Sequence, residues 1–323
     1  MFRWIVGLSL GLALVLPGWT EAGEKYPTRP IRLIVGYTPG GSTDLAARTV
    51  AAHMERTLGQ PIAVENRPGG NGAVGTGVVA KAVPDGYTLV MTSGSILTVM
   101  PWTMDIGFNP LDLTFIGSTH ESLHVQLVRG DSPWKTVQEM VVWAKANPDK
   151  LIHATSGGFG INDIGMAQLA NAAGGFQYRT LPTGGGAEQI LKLLSGDAHT
   201  EQNSAAPSLS HIRSGAVRPL LILTPSWPEL EKMGVPLSKN VYGFTVRNLS
   251  SLSGPPGMPE DIRQKLEDAL RKAMEDKTVM EQMERAVGEL IVFKTGKQIR
   301  EDVKQVQAEH RAIAEQLGKT RKK

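Results

Sequence analysis

The sequence has no cysteine among its 323 residues, and this absence excludes several kinds of chemistry. Disulfides, thiolate metal sites, cysteine nucleophiles and lipid attachment through an N-terminal cysteine all require a thiol. Aromatic residues are also scarce, at 6% of the chain, whereas hydrophobic residues make up 41%. A chain of this length is therefore expected to form two globular domains, each stabilised by a core of buried aliphatic side chains.

Long hydrophobic runs are absent as well. The apolar run from Ile5 to Leu16 is shorter than the roughly 20 residues that a transmembrane helix needs. It follows Arg3 and precedes a small-x-small sequence that ends at Ala22, which is the pattern of an export signal. We therefore expect residues 1–22 to be a signal peptide that is cleaved near Ala22. A retained membrane anchor is the alternative.

The sequence also has little net charge, +3 in all, and residues 1–22 contain one charge of each sign. Much of the positive excess lies in the terminal sequence GKTRKK, which is typical of a solvated tail and not of a nucleic-acid surface. We therefore expect no nucleic-acid partner.

Short β-rich runs alternate with helix-like runs in the hundred residues after this signal. Strands are predicted at IRLIVGY, PIAVEN and YTLVMTS, and helices over 43–58 and 73–82. The order βαβαβ predicts a doubly wound sheet of parallel strands, with a ligand crevice beyond the carboxyl ends of the strands. The sequences YTPGGSTD and MTSGS both fall at that edge of the sheet.

The stretch YTPGGSTD (37–44) has the chemistry of an anion-binding turn. Gly40 and Gly41 can adopt positive φ and bring backbone N–H groups close to a ligand, and Ser42 can cap the helix that follows. The N-terminus of that helix has unpaired N–H groups and a partial positive charge, which suit a carboxylate, phosphate or sulfate. A tight βα turn without a ligand is the alternative. Asp44 could either stabilise the helix dipole or orient a water molecule or ligand.

The remainder of the chain repeats this architecture. Strands are predicted at HVQLVRG, LIHATSGG, QYRTLP, AHTEQNS and RPLLILT, and helices at TVQEMVVWAKANP and near 162–173, 186–195 and 207–214. Two amphipathic helices end the chain. Small polar loops follow the strands at 155–163, 181–186 and 203–207. If the two α/β units face each other, these loops line a cleft that is furnished with helix N-termini and hydroxyls.

Four stretches of the sequence resemble one protein family. They are YPTRPIRLIVGYTPGGSTDLAAR (26–48), LGQPIAVENRPGGNGAVGTGVVAKAVPDGYTLVM (58–91), ANPDKLIHATSGGFG (146–160) and PPGMPEDIRQKL (255–266). In order and spacing they are similar to the periplasmic solute-binding receptors of tripartite tricarboxylate transporters, the Bug family. The resemblance implies an α/β, two-domain periplasmic-binding-protein fold of type II, the Venus-flytrap fold, with a ligand cleft between the domains.

The resemblance also implies function and domain boundaries. A receptor of this family binds a small organic carboxylate in the periplasm and delivers it to membrane transporter subunits, without a cofactor and without catalysis. We expect domain 1 to comprise residues 24–123 and 244–323, domain 2 to comprise residues 124–243, and the protein to be a monomer. The alternative is a ligand-dependent sensor that presents its closed form to a membrane histidine kinase.

The family motifs imply a ligand site built from loops of both domains. The first βα loop would hold the carboxylate, and a second loop of domain 1 and three loops of domain 2 would surround it. The implied ligand-binding residues are Tyr37, Thr38, Gly40, Gly41, Ser42, Asp44, Thr92, Ser93, Ser95, Ser156, Gly158, Phe159, Asn162, Thr183, Gly184, Asn203 and Ser204. Tyr37 and Phe159 could form apolar walls that contact the ligand, and Trp102 could approach the cleft. The alternative is core packing, which is the expectation for Trp102.

The sequence departs from the family pattern in domain 2. Thr183-Gly184-Gly185 replaces a sequence that begins with tyrosine in many members, which predicts a roomier pocket wall. His199 and Asn203 occupy positions where the family tends to have aspartate. The loss of two carboxylates predicts a ligand without an amino group.

A dinucleotide site is weakly indicated by Gly70, Gly72 and Gly75, which have the spacing G-x-G-x-x-G. The next strand ends in Thr92 and Ser93, where a dinucleotide site needs an acid to bind the ribose. A structural glycine loop is therefore expected, and an exported dinucleotide-dependent enzyme is the remote alternative.

Hydrolysis and metal binding have little support either. The sequence has no G-x-S-x-G nucleophile motif. His120 and His124 are predicted to lie where a loop runs into a strand, and strand residues four apart are roughly 13 Å from each other. That separation is too large for both imidazoles to bind one zinc ion, so we expect no metal site there.

Overall fold

The computed structural model describes residues 1, 26–157, 159–287 and 290–321. The predicted signal peptide, residues 1–22, lies outside these residues apart from Met1, and so does Gly158. Within the described ranges, no helix combines the length and the apolar composition that crossing a membrane requires.

The described strands form two sheets. In chain order they are β1 (Ile31–Val35), β2 (Ile62–Asn66), β3 (Thr88–Thr92), β4 (Thr114–Glu121), β5 (His124–Arg129), β6 (Leu151–Thr155), β7 (Tyr178–Pro182), β8 (Thr200–Ser204), β9 (Val217–Ile222), β10 (Leu249–Gly254) and β11 (Leu290–Ile291). The first sheet has the order β11-β4-β10-β3-β1-β2, and the second has the order β7-β6-β8-β5-β9.

Helices connect these strands. They are α1 (Ser42–Leu58), α2 (Ala73–Ala80), α3 (Met100–Thr103), α4 (Val137–Ala146), α5 (Ile161–Ala172), α6 (Gly186–Ser195), α7 (Ala205–Arg213), α8 (Pro228–Lys232), α9 (Ser238–Tyr242), α10 (Glu260–Glu275), α11 (Lys277–Ala286) and α12 (Gly296–Gln316). A π-helical turn, Ser95–Val99, precedes α3, and 3₁₀ turns cover Gly70–Gly72 and Pro110–Asp112. We call the first sheet with α1–α3 and α10–α12 the first unit, and the second sheet with α4–α7 the second unit.

The sheets are mixed, which corrects the prediction of parallel strands. β1 pairs in parallel with β2 and β3, as predicted, but β10 runs antiparallel between β3 and β4. In the second sheet β5 is antiparallel to both β8 and β9. Two neighbouring strands run parallel when a crossover connection within the same sheet joins them. β5 and β10 each enter their sheet from the other unit, so no such connection sets their direction.

Helix α1 shows why the local sequence folds as it does. Ala47, Val50, Ala51 and Met54 recur at helical spacing and are buried against α10 and α11. The helix ends at Leu58 because Gly59 adopts a left-handed conformation with φ 71°. The packing fixes the orientation of α1, and therefore the position of its N-terminus at the edge of the first sheet.

The chain crosses between the units twice. It leaves the first sheet after β4, enters the second at β5, and returns between β9 and β10. The expected boundaries, 24–123 with 244–323 and 124–243, stay a prediction. They place the described strands of each sheet in one domain.

Candidate ligand-binding site

A cavity of about 60 Å³ lies between the two units. It is found where β1 and β3 of the first unit and β6 and β8 of the second unit end, which is the edge that the sequence predicts. Its lining residues are Tyr37, Gly41, Ser42, Thr43, Asn71, Ser93, Ser95, Ser122, His124, Ser156, Ile161, Asn162, Gly186, Gln189, Asn203, Ser204 and Asn248.

Helix N-termini from both units meet at this cavity. Ser42 and Thr43 begin α1, Ile161 and Asn162 begin α5, and Gly186 begins α6. The first backbone N–H groups of a helix have no partner within that helix, and they carry its partial positive charge. Because three N-termini converge on one space, the site is suited to an anion.

The turn before α1 differs in one detail from the prediction. The residue that caps the helix is Gly41, in an extended conformation, and Ser42 is already the first helical residue. The Ser42 hydroxyl is therefore free of the capping role, and its Oγ lies 2.7 Å from Oγ of Ser204 across the cavity.

Asp44 stabilises this turn through hydrogen bonds and does not line the cavity. Its carboxylate accepts hydrogen bonds from Gly40 N at 3.0 Å, Arg48 Nε at 3.1 Å and Asn66 Nδ2 at 2.8 Å. Burial alone would raise the pKa of Asp44, but these donors outweigh it and the pKa lies below the usual value. The carboxylate is thus ionised and already supplied with donors, which favours a structural role.

Tyr37 closes the first-unit side of the cavity. Its hydroxyl donates to the backbone oxygen of Asn71 at 3.0 Å and shares a 2.5 Å hydrogen bond with Ser93 Oγ. Burial raises the pKa of Tyr37 to about 12, so the phenol is neutral at pH 7.

The glycine loop that resembles a dinucleotide motif has a packing explanation. A Cβ at Gly75 would lie 2.9 Å from Cα of Gly36 and 3.0 Å from the backbone oxygen of Arg67. A Cβ at Gly36 would in turn lie 2.7 Å from Cα of Gly72. Two backbone segments touch here without side chains between them, which supports the prediction of a structural loop.

Two polar residues near the crossing strands were not predicted as ligand residues. Asn248 accepts a hydrogen bond from Gly94 N at 2.7 Å through Oδ1, so its Nδ2 is the atom that points to His124 Nε2, 3.4 Å away. His124 Nε2 is then the acceptor, and Nδ1–H is directed to the backbone oxygen of Ser122 at 3.3 Å. Burial lowers the pKa of His124 to about 4, so the ring is neutral at pH 7.

Gln189 organises the second-unit side, and it was also missed. Its Nε2 donates to the backbone oxygens of Ala154 and Gln202, at 3.0 and 3.3 Å. Its Oε1 accepts from Ser156 Oγ at 3.1 Å and Asn162 Nδ2 at 3.3 Å. A glutamine inside a helix carries no sequence signal for such a role.

Asn203 has its amide committed to the protein. Its Nδ2 donates to the backbone oxygen of Gly186 at 2.8 Å and to Glu201 Oε2 at 3.2 Å, and its Oδ1 accepts from Ser204 N at 2.9 Å. Burial raises the pKa of Glu201 to about 8. Asn203 therefore positions the start of α6, and the adjacent acid is largely protonated at pH 7.

The described lining contains no Lys, Arg, Asp or Glu side chain. Among the described residues, no group of three or more His, Asp or Glu side chains could hold a metal ion. An anion in the cavity would be held by neutral N–H and O–H donors, so no buried charged pair would have to be desolvated.

Several predicted ligand residues lie beside the cavity and do not line it. These are Thr38, Gly40, Asp44, Thr92, Phe159, Thr183 and Gly184, and Gly158 is outside the described residues. Thr92 Oγ1 donates to the backbone oxygen of Ser251 at 3.0 Å, and Phe159 lies near Lys319, whose Nζ is 5.9 Å from the ring centroid.

Two further expectations are corrected by position. His199 lies at the opposite end of β8, where its Nδ1 accepts from Ile152 N at 3.1 Å and its ring lies 6.1 Å from that of Trp143. It therefore cannot select the ligand by contact. Trp102 is half-buried and not in the core, with the Arg311 guanidinium 4.9 Å from its ring centroid.

The two units touch directly around the cavity. Besides the contact between Ser42 and Ser204, Ser95 Oγ accepts a hydrogen bond from Ile161 N at 3.0 Å, so a first-unit hydroxyl caps a second-unit helix. The π-helical turn that carries Ser95 is held by α12, because Gln307 Nε2 donates to the backbone oxygen of Leu97 at 2.6 Å. Hydrogen bonds therefore join the two units across the cleft in this structure.

Comparison with known proteins agrees with this architecture. The family described as tripartite tricarboxylate transporter family receptor matches residues 46–318. The "UPF0065 protein in gbd 5'region" of Cupriavidus necator is 35% identical over 278 residues, which cover 83% of this chain and 80% of that protein. Protein BugT of Bordetella pertussis is 29% identical over 278 residues, with coverage of 80% and 81%.

A solved structure confirms the two-domain α/β fold. The periplasmic binding protein BugD has a TM-score of 0.85 and 26% identity, with coverage of 92% of this chain and 100% of BugD. The resemblance inferred from sequence is confirmed, and the chain belongs to the tripartite tricarboxylate transporter receptors of the Bug family, a family of periplasmic solute-binding proteins.

Proposed function

We propose that this protein binds one small organic carboxylate in the cavity between its units and delivers it to membrane transporter subunits. The observation that carries the proposal is the meeting of the N-termini of α1, α5 and α6 at a space with no charged lining side chain. Dipoles that are already oriented can hold a carboxylate without an additional cation.

The proposal includes a periplasmic location and a monomeric state. Residues 1–22 would direct export and be cleaved near Ala22, and the remainder would act as one chain. Binding would begin at the α1 turn of the open form, and closure of the second unit would complete the hydrogen bonds to the ligand.

Calorimetric titration tests the ligand class. The protein lacking residues 1–22 is unfolded and refolded to remove bound solute, and then titrated with succinate, citrate, terephthalate, benzoate, glutamate and nicotinate. Malate and adipate are added because two solved structures of this fold from Rhodopseudomonas palustris are MatC with bound malate and Rpa4515 with adipate. We expect one of these acids to bind saturably and one-to-one. Adding NAD should not change the affinity for that acid.

Glutamate is the informative comparison within this panel. The described cavity lining offers no carboxylate to an ammonium group, and the Asn203 amide is already occupied. Glutamate should therefore bind more weakly than an acid of similar length without the amino group. A folded protein that binds none of the acids would contradict the carboxylate proposal.

Delivery to a transporter needs a separate test. The ligand-loaded protein can be immobilised and exposed to detergent-solubilised membranes of the source organism, with the ligand-free protein as control. Ligand-dependent recovery of transporter subunits supports delivery, whereas recovery of a histidine kinase alone would show a sensor.

A further inference from the structure

Two loops of the second unit approach the first unit so closely that a side chain would not fit. Gly184 lies between β7 and α6, and Gly160 is the residue before α5. Each contacts a residue of the first unit, Thr38 and Asn71 respectively. Neither glycine lines the cavity.

At Gly184, a Cβ would lie 2.8 Å from Cγ2 of Thr38 and 3.0 Å from Glu188 Oε2. The Glu188 carboxylate is the end of a long side chain and can move, but Thr38 is β-branched and has few rotamers. The other branch of Thr38, Oγ1, lies 3.1 Å from the position that a Cβ of Gly185 would occupy. Both branches of Thr38 therefore face this loop.

At Gly160, a Cβ would lie 1.8 Å from Asn71 Nδ2 and 2.9 Å from Ser95 Oγ. The Ser95 hydroxyl is the group that caps α5 across the cleft. A methyl group on Gly160 would thus collide with the Asn71 amide of the first unit and press against the hydroxyl that caps α5.

The local backbone does not require glycine at either position. Gly160 has φ −94°, and Gly184 is not among the glycines with positive φ. A φ in this range does not by itself require glycine. At both positions the shortest contact that a Cβ would make is with the opposite unit, with Thr38 at Gly184 and with Asn71 at Gly160.

We propose that Gly160 and Gly184 are the residues that permit full closure of the cleft, and that a methyl group at either position holds the units apart. They act on the approach of the units and not on contact with the ligand. The inference rests on the proposed receptor function only in assuming that the cleft opens and closes.

The absence of cysteine allows a measurement of closure that needs no ligand. Oγ atoms of Ser42 and Ser204 lie 2.7 Å apart across the cleft, so the pair S42C and S204C can form a disulfide when the units close. No other thiol is present in the chain. The rate of disulfide formation is measured with oxidised glutathione and without any acid, in this double variant and in derivatives of it.

We expect Gly184→Ala and Gly160→Ala to slow disulfide formation at least about fivefold, because overpacking of this kind disfavours the closed form. Thr38→Ser removes the methyl group that a Cβ at Gly184 would meet, so it should restore the rate in the Gly184→Ala variant. Gly77→Ala is the matched control, since its Cβ would make only ordinary contacts with Phe108 at 3.7 Å. Circular dichroism and thermal unfolding confirm that each variant is folded.

Equal rates in the alanine variants and their parent, or no recovery with Thr38→Ser, would overturn the inference. Its failure is distinguishable from failure of the proposed function. If Gly184→Ala closes slowly and Thr38→Ser restores its rate, the inference is supported even when the unmodified protein binds no carboxylate. If the protein binds a carboxylate but the closure rates do not change, the receptor function stands and this inference is wrong.

Discussion

Gly41 lies at the cavity wall in a conformation that any residue can adopt, with φ −80° and ψ 165°. A Cβ there would lie 3.9 Å from the backbone oxygen of Thr38, so the protein itself has room for a side chain. We expect Gly41→Val to remove measurable carboxylate binding, because the branched side chain would occupy the space beside the first N–H groups of α1. The melting temperature should stay within a few degrees of the unmodified protein.

Calorimetry with the acid that binds the unmodified protein checks this expectation, with Gly77→Ala as a control outside the cavity. A Gly41→Val protein that folds and binds normally would show that the turn before α1 is not where the carboxylate lies.

Residues that follow a strand were predicted more readily than residues within one. Ser42, Ser93 and Ser156 stand in glycine- and serine-containing loops, and the structure places all three at the cavity. His124 and Asn248 lie close to the crossings between the units, where no loop composition marks them. Their role depends on which strands the fold brings together, and that information is not local in the sequence.

Helix α10 shows what an element contributes to the fold. Leu270 is fully buried in the core between α10, α1 and the first sheet. Leu270→Ala should lower the free energy of unfolding by about 2–5 kcal/mol through lost burial and the cavity left behind. Urea denaturation measures this, and Leu191→Ala is the control because Leu191 on α6 is 62% exposed. Equal effects of the two substitutions would contradict the packing described for α10.

Element prediction succeeded where the periodicity was clear. α1 was placed within one residue at its start, because its apolar spacing and Gly59 are local signals. β10 was missed, since its sequence LSSLSG lacks the hydrophobic pattern of a strand. Its serines are buried, and Ser251 and Ser253 form side-chain hydrogen bonds inside the sheet, for example Ser251 Oγ with Thr92 Oγ1 at 2.8 Å. Only tertiary contacts make such a sequence a central strand.

The whole molecule should lose stability in acid. Burial lowers the pKa of His120 to about 3 and those of His124, His153 and His310 to about 4, from a usual value of 6.5. As the pH falls, these histidines are protonated in the unfolded chain before they are protonated in the folded protein. Their contribution to the free energy of unfolding is therefore fully present above about pH 6.5 and is lost as the pH falls towards 4. Each histidine lowers the free energy of unfolding by roughly 1 kcal/mol per pH unit in that window.

Glu201 acts in the opposite direction. Its pKa is raised from 4.5 to about 8, so its contribution is present below about pH 4.5 and is lost as the pH rises towards 8. Burial also raises the pKa of Asp163, so four histidines oppose two acids, and the free energy of unfolding should fall between pH 6.5 and 5. Glu201→Gln should increase stability at pH 8 and steepen the acid loss. Urea denaturation at pH 5, 6.5 and 8 checks both expectations, and a stability that does not change from pH 6.5 to 5 would contradict the first.

The two crossings between the units also fix an order of assembly during synthesis. β10 lies in the middle of the first sheet, between β3 and β4, yet it follows every strand of the second sheet in the chain. The N-terminal part of the first unit therefore cannot complete its sheet until the whole second unit has left the ribosome. A nascent chain of this design therefore keeps the sheet at its leading end incomplete for most of its translation, even though that end is synthesised first.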